Sequence, residues 1–175
     1  MNHRFSLLAI SILFQYALAA EHWITFTSKQ SRFRVEYPSS WYSLQLEGGL
    51  DIVNFPPDLR VHGVVLTGDG AELTVLKQPR DIHSLEQWIQ ADLVDSRPET
   101  QREVDAGAVR DGCRKLVEVR WKWEGGPNQY FHETAYYCTA KVNLYRIEVT
   151  YWAENLAAPK LDALALRVAR SLRVW

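Results

Sequence analysis

Residues 113–139 read CRKLVEVRWKWEGGPNQYFHETAYYCT. In their first part Cys113, Val117, Val119, Trp121 and Trp123 share one face. Arg114, Glu118, Arg120 and Lys122 share the other. That period of two marks a half-buried β-strand. Gly125-Gly126-Pro127-Asn128 is turn chemistry, and Tyr130 to Thr139 returns as the antiparallel partner. A loop over Glu124 to Pro127 would pair Trp123 with Asn128 and set Cys113 opposite Cys138. Directly opposed Cβ atoms lie roughly 4.5–5.5 Å apart, near the reach of a disulfide. In this register the pair sits at a hydrogen-bonded position, where the Cα atoms are farther apart, and a one-step bulge would shift it.

The pattern continues on both sides of the hairpin. Leu144 to Trp152 (LYRIEVTYW) alternates, with Tyr145, Ile147, Val149 and Tyr151 on one face. A closing helix starts near Pro159, a residue suited to a first turn, and carries the apolar stripe Leu161, Leu164, Ala165, Val168 and Leu172. Upstream, Arg102 to Val109 reads as a weaker strand. Before it, Ser84-Leu85-Glu86-Gln87 is a capping box that opens a helix with Leu85, Trp88, Ile89, Asp92 and Leu93 on its inner face. The first part of the chain holds short strands. They fall at His22 to Lys29, Phe33 to Tyr37, Trp41 to Leu46, Asp51 to Phe55, Val61 to Leu66 and Ala71 to Lys77. Gly, Pro and Ser punctuate them. The layout is α+β: a largely antiparallel β-sheet sandwiched by helices.

The chain has 175 residues, 47% of them hydrophobic and 12% aromatic, enough to bury a core without metals. Its net charge of -1 excludes nucleic-acid binding by bulk positive charge. At the N-terminus a short basic stretch, Met1 to Arg4, precedes the apolar run Phe5 to Tyr16 and the small-x-small site Ala17-Leu18-Ala19. That order is a secretory signal peptide, residues 1–19, followed by one domain over residues 20–175. An apolar run of about 16 residues is short of the roughly 20 needed to span a bilayer. The expected location is secreted or periplasmic, with no stable membrane insertion after cleavage. Cys113 and Cys138 are the only cysteines. An even count in an oxidising compartment favours a disulfide between them, the alternative being two buried thiols.

The segment Phe33-Arg34-Val35-Glu36-Tyr37-Pro38-Ser39-Ser40-Trp41 resembles the F-x-V-x-Y-P-x-x-W opening of the PsbP-like family, whose fold the Mog proteins share. The helix at Ser84-Leu85-Glu86, the strand Tyr145 to Val149 and the closing Ala169-Arg170-Ser171-Leu172 are similar in placement. The resemblance implies an α/β/α arrangement and a role in binding or assembly, not catalysis. No metal-binding residue of the photosystem proteins matches a position here, so a role in photosynthesis does not carry over. In physical terms, Pro38 ends a strand and lets Trp41 fold back as a hydrophobic plug.

Chemistry-bearing motifs are few. His132-Glu133 begins the zinc-protease pattern H-E-x-x-H, but Tyr136 stands where the second His is needed and the segment reads as a strand. His22, His62, His83 and His132 are too dispersed to form a metal motif. No nucleophile elbow, phosphate loop or dinucleotide fingerprint is present. The expectation is therefore no catalytic residue, no cofactor and no metal, and a protein partner of unknown identity. Its contact surface would come from the aromatic hairpin: Trp121, Trp123, Tyr130 and Trp152. The competing expectation is a small-molecule or metal-binding module with an aromatic-lined pocket, using His62 or His132.

Overall fold

The computed structural model describes residues 21–57, 69–94, 96–107, 111–126, 129–140 and 143–175. The expected signal peptide (1–19), the expected strand Val61–Leu66 and His62 lie outside the described residues, as do parts of several expected turns.

In chain order the elements are β1 (Trp23–Ser28), β2 (Phe33–Pro38), β3 (Tyr42–Leu46), β4 (Gly49–Val53), β5 (Ala71–Lys77) and α1 (Leu85–Asp92). Then come β6 (Thr100–Val104), β7 (Lys115–Gly126), β8 (Gln129–Thr139), β9 (Leu144–Trp152), α2 (Ala158–Ser171) and β10 (Arg173–Val174). Among the described residues, a seven-stranded sheet has the order β3-β4-β5-β9-β8-β7-β6, and a three-stranded sheet the order β1-β2-β10. Every pairing among them is antiparallel.

The large sheet carries apolar residues on both faces, and each face meets a different cover. One face buries Ile52, Leu73, Val75, Tyr136, Ile147 and Val149 against Leu161, Ala165 and Val168 of α2 and against Phe33 and Val35 of β2. The opposite face buries Val117, Val119, Trp121 and Tyr137 against Leu85, Trp88 and Ile89 of α1. The sheet is thus sandwiched, with α2 and the small sheet on one side and α1 on the other.

Local chemistry explains the ends of the elements. Ser84 caps α1, its hydroxyl accepting from Gln87 N–H at 3.0 Å. The Gln87 side chain reaches back one residue beyond the cap and accepts from His83 N–H at 2.8 Å. Ser84→Ala should therefore cost about 1 kcal/mol in a denaturant titration; an unchanged midpoint would show the cap to be idle. Gly49 opens β4, because the turn is tight and pairs Leu46 with Gly49. Gly48 in that turn has φ +82, and a Cβ on Gly49 would come within 2.5 Å of the Val75 carbonyl oxygen. Trp41 lies just before β3 and packs, half-buried, on the α2-side core.

Three expectations for the long strands need correction. The β7–β8 register has Trp123 opposite Phe131, not Asn128, with an irregularity between Glu124 and Gly126. Cys138 accordingly faces Leu116. Cys113 is not a strand residue sharing a face with Trp121: the chain bends before β7 begins at Lys115, and Cys113 joins the α2-side core. The Cys113–Cys138 disulfide nevertheless forms, with Cα atoms 5.3 Å apart, so it ties the approach to β7 onto β8. Finally, β6 runs from Thr100 to Val104, earlier than the Arg102–Val109 expectation, and residues 108–110 lie outside the described set.

The disulfide closes a loop of 25 residues' separation. Replacing both cysteines with alanine should cost about 3 kcal/mol, read from denaturant midpoints without reductant. A double variant as stable as the parent would show that the bridge adds nothing to the strand pairing.

Candidate functional site

The strand register places a line of polar groups on the α1 face of the large sheet. Leu76, Arg146, Tyr137 and Val117 stand side by side across β5, β9, β8 and β7. Thr74, Glu148 and Ala135 form the next row, and Glu72, Thr150 and Glu133 the row after it. The α1 helix adds Asp92 from its last turn. Arg146 is clamped between Asp92 at 2.5 Å and Glu148 at 3.0 Å, its guanidinium 5.9 Å from the Trp88 ring centre. Tyr137 hydroxyl donates to Asp92 Oδ2 at 2.6 Å.

Burial sets the electrostatics of this line. Taking Glu133 out of water, beside Glu148, pushes its carboxyl up to about 9. Burial, with the Asp92 carboxylate next to it, also drives the Tyr137 phenol far above its ordinary value. Arg146 feels burial as a lowering influence, but Glu148 and Asp92 overcome it and hold the guanidinium charged.

A cleft of about 570 Å³ opens over the Arg146–Asp92 end of this line. Its walls come from the β1–β2 turn (Gln30, Ser31), the β3–β4 turn (Glu47, Gly48), the end of β5 and the segment after it (Leu76 to Arg80), and Trp88. Lys77, Arg80 and Glu47 line it, and no ion pair among the described residues engages any of them. The Arg146 guanidinium at the floor is thus engaged by two carboxylates, while the wall charges are open to a ligand's own charges.

A second polar cluster lies on the α2 face. Glu118, at 2% exposure, receives Arg102 at 2.9 Å, Arg120 at 3.1 Å and the Tyr136 hydroxyl at 3.0 Å. Arg120 also reaches Asp162 of α2 at 3.0 Å, and Asp162 accepts from Thr134 and Tyr151. Burial alone would raise the Glu118 pKa, but the bonds from Arg102, Arg120 and Tyr136 outweigh it and hold the carboxyl below its ordinary value. This network fastens α2 to the sheet.

The residues singled out from sequence fall in different surroundings. Trp121 is buried at 4% exposure in the α1-side cluster with Trp88. Trp123 stacks on Phe131 with ring centres 4.6 Å apart, and Phe131 meets Trp152 edge-on at 5.7 Å. Tyr130 is 48% exposed beside them. These rings gather at the tip of the β7–β8 hairpin, away from the Arg146 cleft walls. His132 stacks on Tyr151 on the α2 face, and burial, with Lys122 nearby, lowers its imidazole pKa. His22 and His83 are exposed. No group of three or more His, Cys, Asp or Glu side chains among the described residues is placed to hold a metal ion. No helix among them is long and apolar enough to cross a membrane.

Sequence reasoning missed Arg146, Glu148 and Glu133. The first two occupy the alternate positions of LYRIEVTYW, which in a one-sided strand would face water. Their signal is the central place of β9, between β5 and β8, which only the sheet order supplies.

No sequence-family model and no curated protein matches the chain. Solved structures do match. The cyanobacterial PsbP (CyanoP) from Synechocystis sp. PCC 6803 is 12% identical, with 91% of this chain and 96% of that one covered and a TM-score of 0.55. LpqN, described as involved in cell envelope biogenesis of Mycobacterium tuberculosis, is 10% identical, with 87% and 91% covered and a TM-score of 0.50. A structure from Bacteroides thetaiotaomicron VPI-5482 is 16% identical with a TM-score of 0.51. There 86% of this chain is covered against 48% of the other, so the chain spans about half the length of that relative. The fold is PsbP-like.

Proposed function

We propose that this PsbP-like fold is an exported, non-catalytic domain that binds a protein partner through the cleft beside α1. The observation that carries the reading is the division of charge in that cleft. Arg146, Asp92, Glu148 and Tyr137 are engaged with one another, while Lys77, Arg80 and Glu47 stand on the walls without an ion pair among the described residues. A floor whose charged groups are engaged with one another is a scaffold, and open wall charges give orientation and partner choice. Export is supported by the leader-like residues 1–19, by the Cys113–Cys138 bridge and by the likeness to LpqN, an envelope-linked protein.

The test is affinity capture from the exported fraction with the parent chain and with a Lys77→Glu/Arg80→Glu variant. A partner enriched by the parent and lost by the variant is expected. Equal recovery with both, or none with either, would sink the reading. Mass spectrometry of the exported product should find Ala20 as its first residue; an intact leader on cytosolic protein would overturn export.

One observation favours a second reading. A cleft of about 570 Å³ with Trp88 in its wall falls in the size range of small-ligand sites, roughly 300–1,000 Å³. A thermal-shift screen of small organic anions and cations, with metal analysis of the purified protein, distinguishes a small-molecule binder from a partner-binding domain.

A further inference from the structure

We infer that the outer face of the small sheet holds an anion site for a phosphate group, independent of the cleft beside α1. Its core is a pair of arginines. β10 pairs with β2 so that Arg173 lies directly opposite Arg34, which puts both guanidiniums on one face of the sheet. Like charges set directly opposite across strands destabilise a sheet. Neither arginine takes part in an ion pair among the described residues, not even with Glu36 in the cavity they share. A site that keeps such a repulsion is arranged for an anion that would remove it.

The surroundings are built, not loose. A cavity of about 230 Å³ is lined by Thr25, Arg34, Val35, Glu36, Ser171 and Arg173. Arg173 Nη1 donates to the Arg170 and Leu172 carbonyls at 2.8 and 2.7 Å, which holds its side chain across the end of α2. Ser171 hydroxyl donates to Val168 carbonyl at 2.7 Å and accepts from Glu36 N–H at 2.9 Å, locking the helix end to β2.

Donor number selects the ligand class. The Arg34 side chain makes no hydrogen bond among the described residues, so its whole fork is available, and Arg173 keeps Nε and Nη2. Thr25 adds a hydroxyl across the β1–β2 pair, opposite Glu36. Two guanidinium edges and a hydroxyl match the three terminal oxygens of a phosphate monoester better than the two of a carboxylate. Glu36 is the carboxylate in the lining; it limits the affinity for a bare dianion and sits where a ligand's own cation would be received.

Two-dimensional NMR titration of the mature chain tests this, with inorganic phosphate, with acetate, and with vesicles of phosphatidylcholine alone or containing phosphatidic acid. Phosphate should shift the Thr25, Arg34 and Ser171 amides, and acetate at equal ionic strength should not. Arg34→Gln should weaken phosphate binding at least about tenfold, the loss typical of a charge-assisted hydrogen bond. Without phosphate the variant should melt no lower than the parent, because the Arg34–Arg173 repulsion is gone. Free phosphate binding without vesicle retention assigns a soluble phosphate ligand. Retention on phosphatidic acid vesicles that Arg34→Gln abolishes assigns a lipid headgroup. No amide shifts with phosphate, shifts that acetate reproduces, or binding indifferent to Arg34→Gln would overturn the site.

Discussion

Replacing Glu118 with alanine is expected to cost about 4 kcal/mol, as loss of one partner from a buried ion cluster typically does. In a chain of this length that lowers the melting temperature by roughly 12 °C. The carboxylate is 2% exposed and satisfies Arg102, Arg120 and Tyr136 at once. Without it Arg120 keeps only Asp162 among the described residues, and the Tyr136 hydroxyl keeps only a 3.4 Å contact to the Asp162 carbonyl. The pH dependence gives a second check. The folded pKa of Glu118 lies below the ordinary carboxylate value of 4.5, so its stabilisation is full above about that pH and fades as the solution is acidified through the folded value. The gap between parent and variant should therefore be wide at pH 7 and should close only as acidification below 4.5 passes through the folded value. A cost under about 1 kcal/mol at pH 7, the size of an exposed pair, would mean the cluster is not structural.

The opposite sign is expected at Glu133. Burial and the neighbouring Glu148 raise its pKa to about 9, against 4.5 for an ordinary carboxyl. The folded protein holds this proton while the unfolded chain releases it. The proton-linked stability is therefore complete below about pH 4.5 and is lost as the pH rises towards 9. A tenfold difference in proton affinity between the folded and unfolded chain is worth about 1.4 kcal/mol, and with local relaxation the loss across this window should be on the order of 4 kcal/mol. Glu133→Gln keeps the shape and the neutral state at every pH. It should match the parent near pH 5 and exceed it by most of that amount at pH 9. Arg146 and Trp123 also face Glu133 and lower its pKa, opposing Glu148, and both are unchanged in the variant. Parallel stability curves for the two proteins would show that Glu133 ionises without penalty.

The two networks differ in what they do. The Glu118 cluster joins β6, β7, β8 and α2 and leaves every member with a partner. The Arg146 line joins α1 to the middle of the sheet but carries more carboxylate than the guanidinium can neutralise; burial first, and the neighbouring Glu148 second, make Glu133 keep its proton. Perturbed groups beside a cleft mark places where a protein gives up stability.

Much of this was legible in residue order. Alternation identified β1, β2, β7 and β9, and the turn residues around them set off β5 and β8. The Ser84 capping box and the stripe from Leu161 to Leu172 identified both helices, and the phrase from Phe33 to Trp41 pointed to a PsbP-like fold. These are local signals, since period and capping depend on neighbours within a few residues. The candidate site was not legible for the converse reason. Arg146 and Glu148 alternate with apolar residues just as surface charges do, and Glu118 sits among Arg and Lys like a solvated side chain.

By itself, then, the sequence marked most of the strands and both helices and favoured a disulfide between its two cysteines. Only the tertiary structure decided that β9 is central, that both faces of the sheet are covered, and that Arg34 and Arg173 stand opposite each other. Pattern records which side of a strand a residue takes; whether that side is wet depends on elements that arrive from distant parts of the chain.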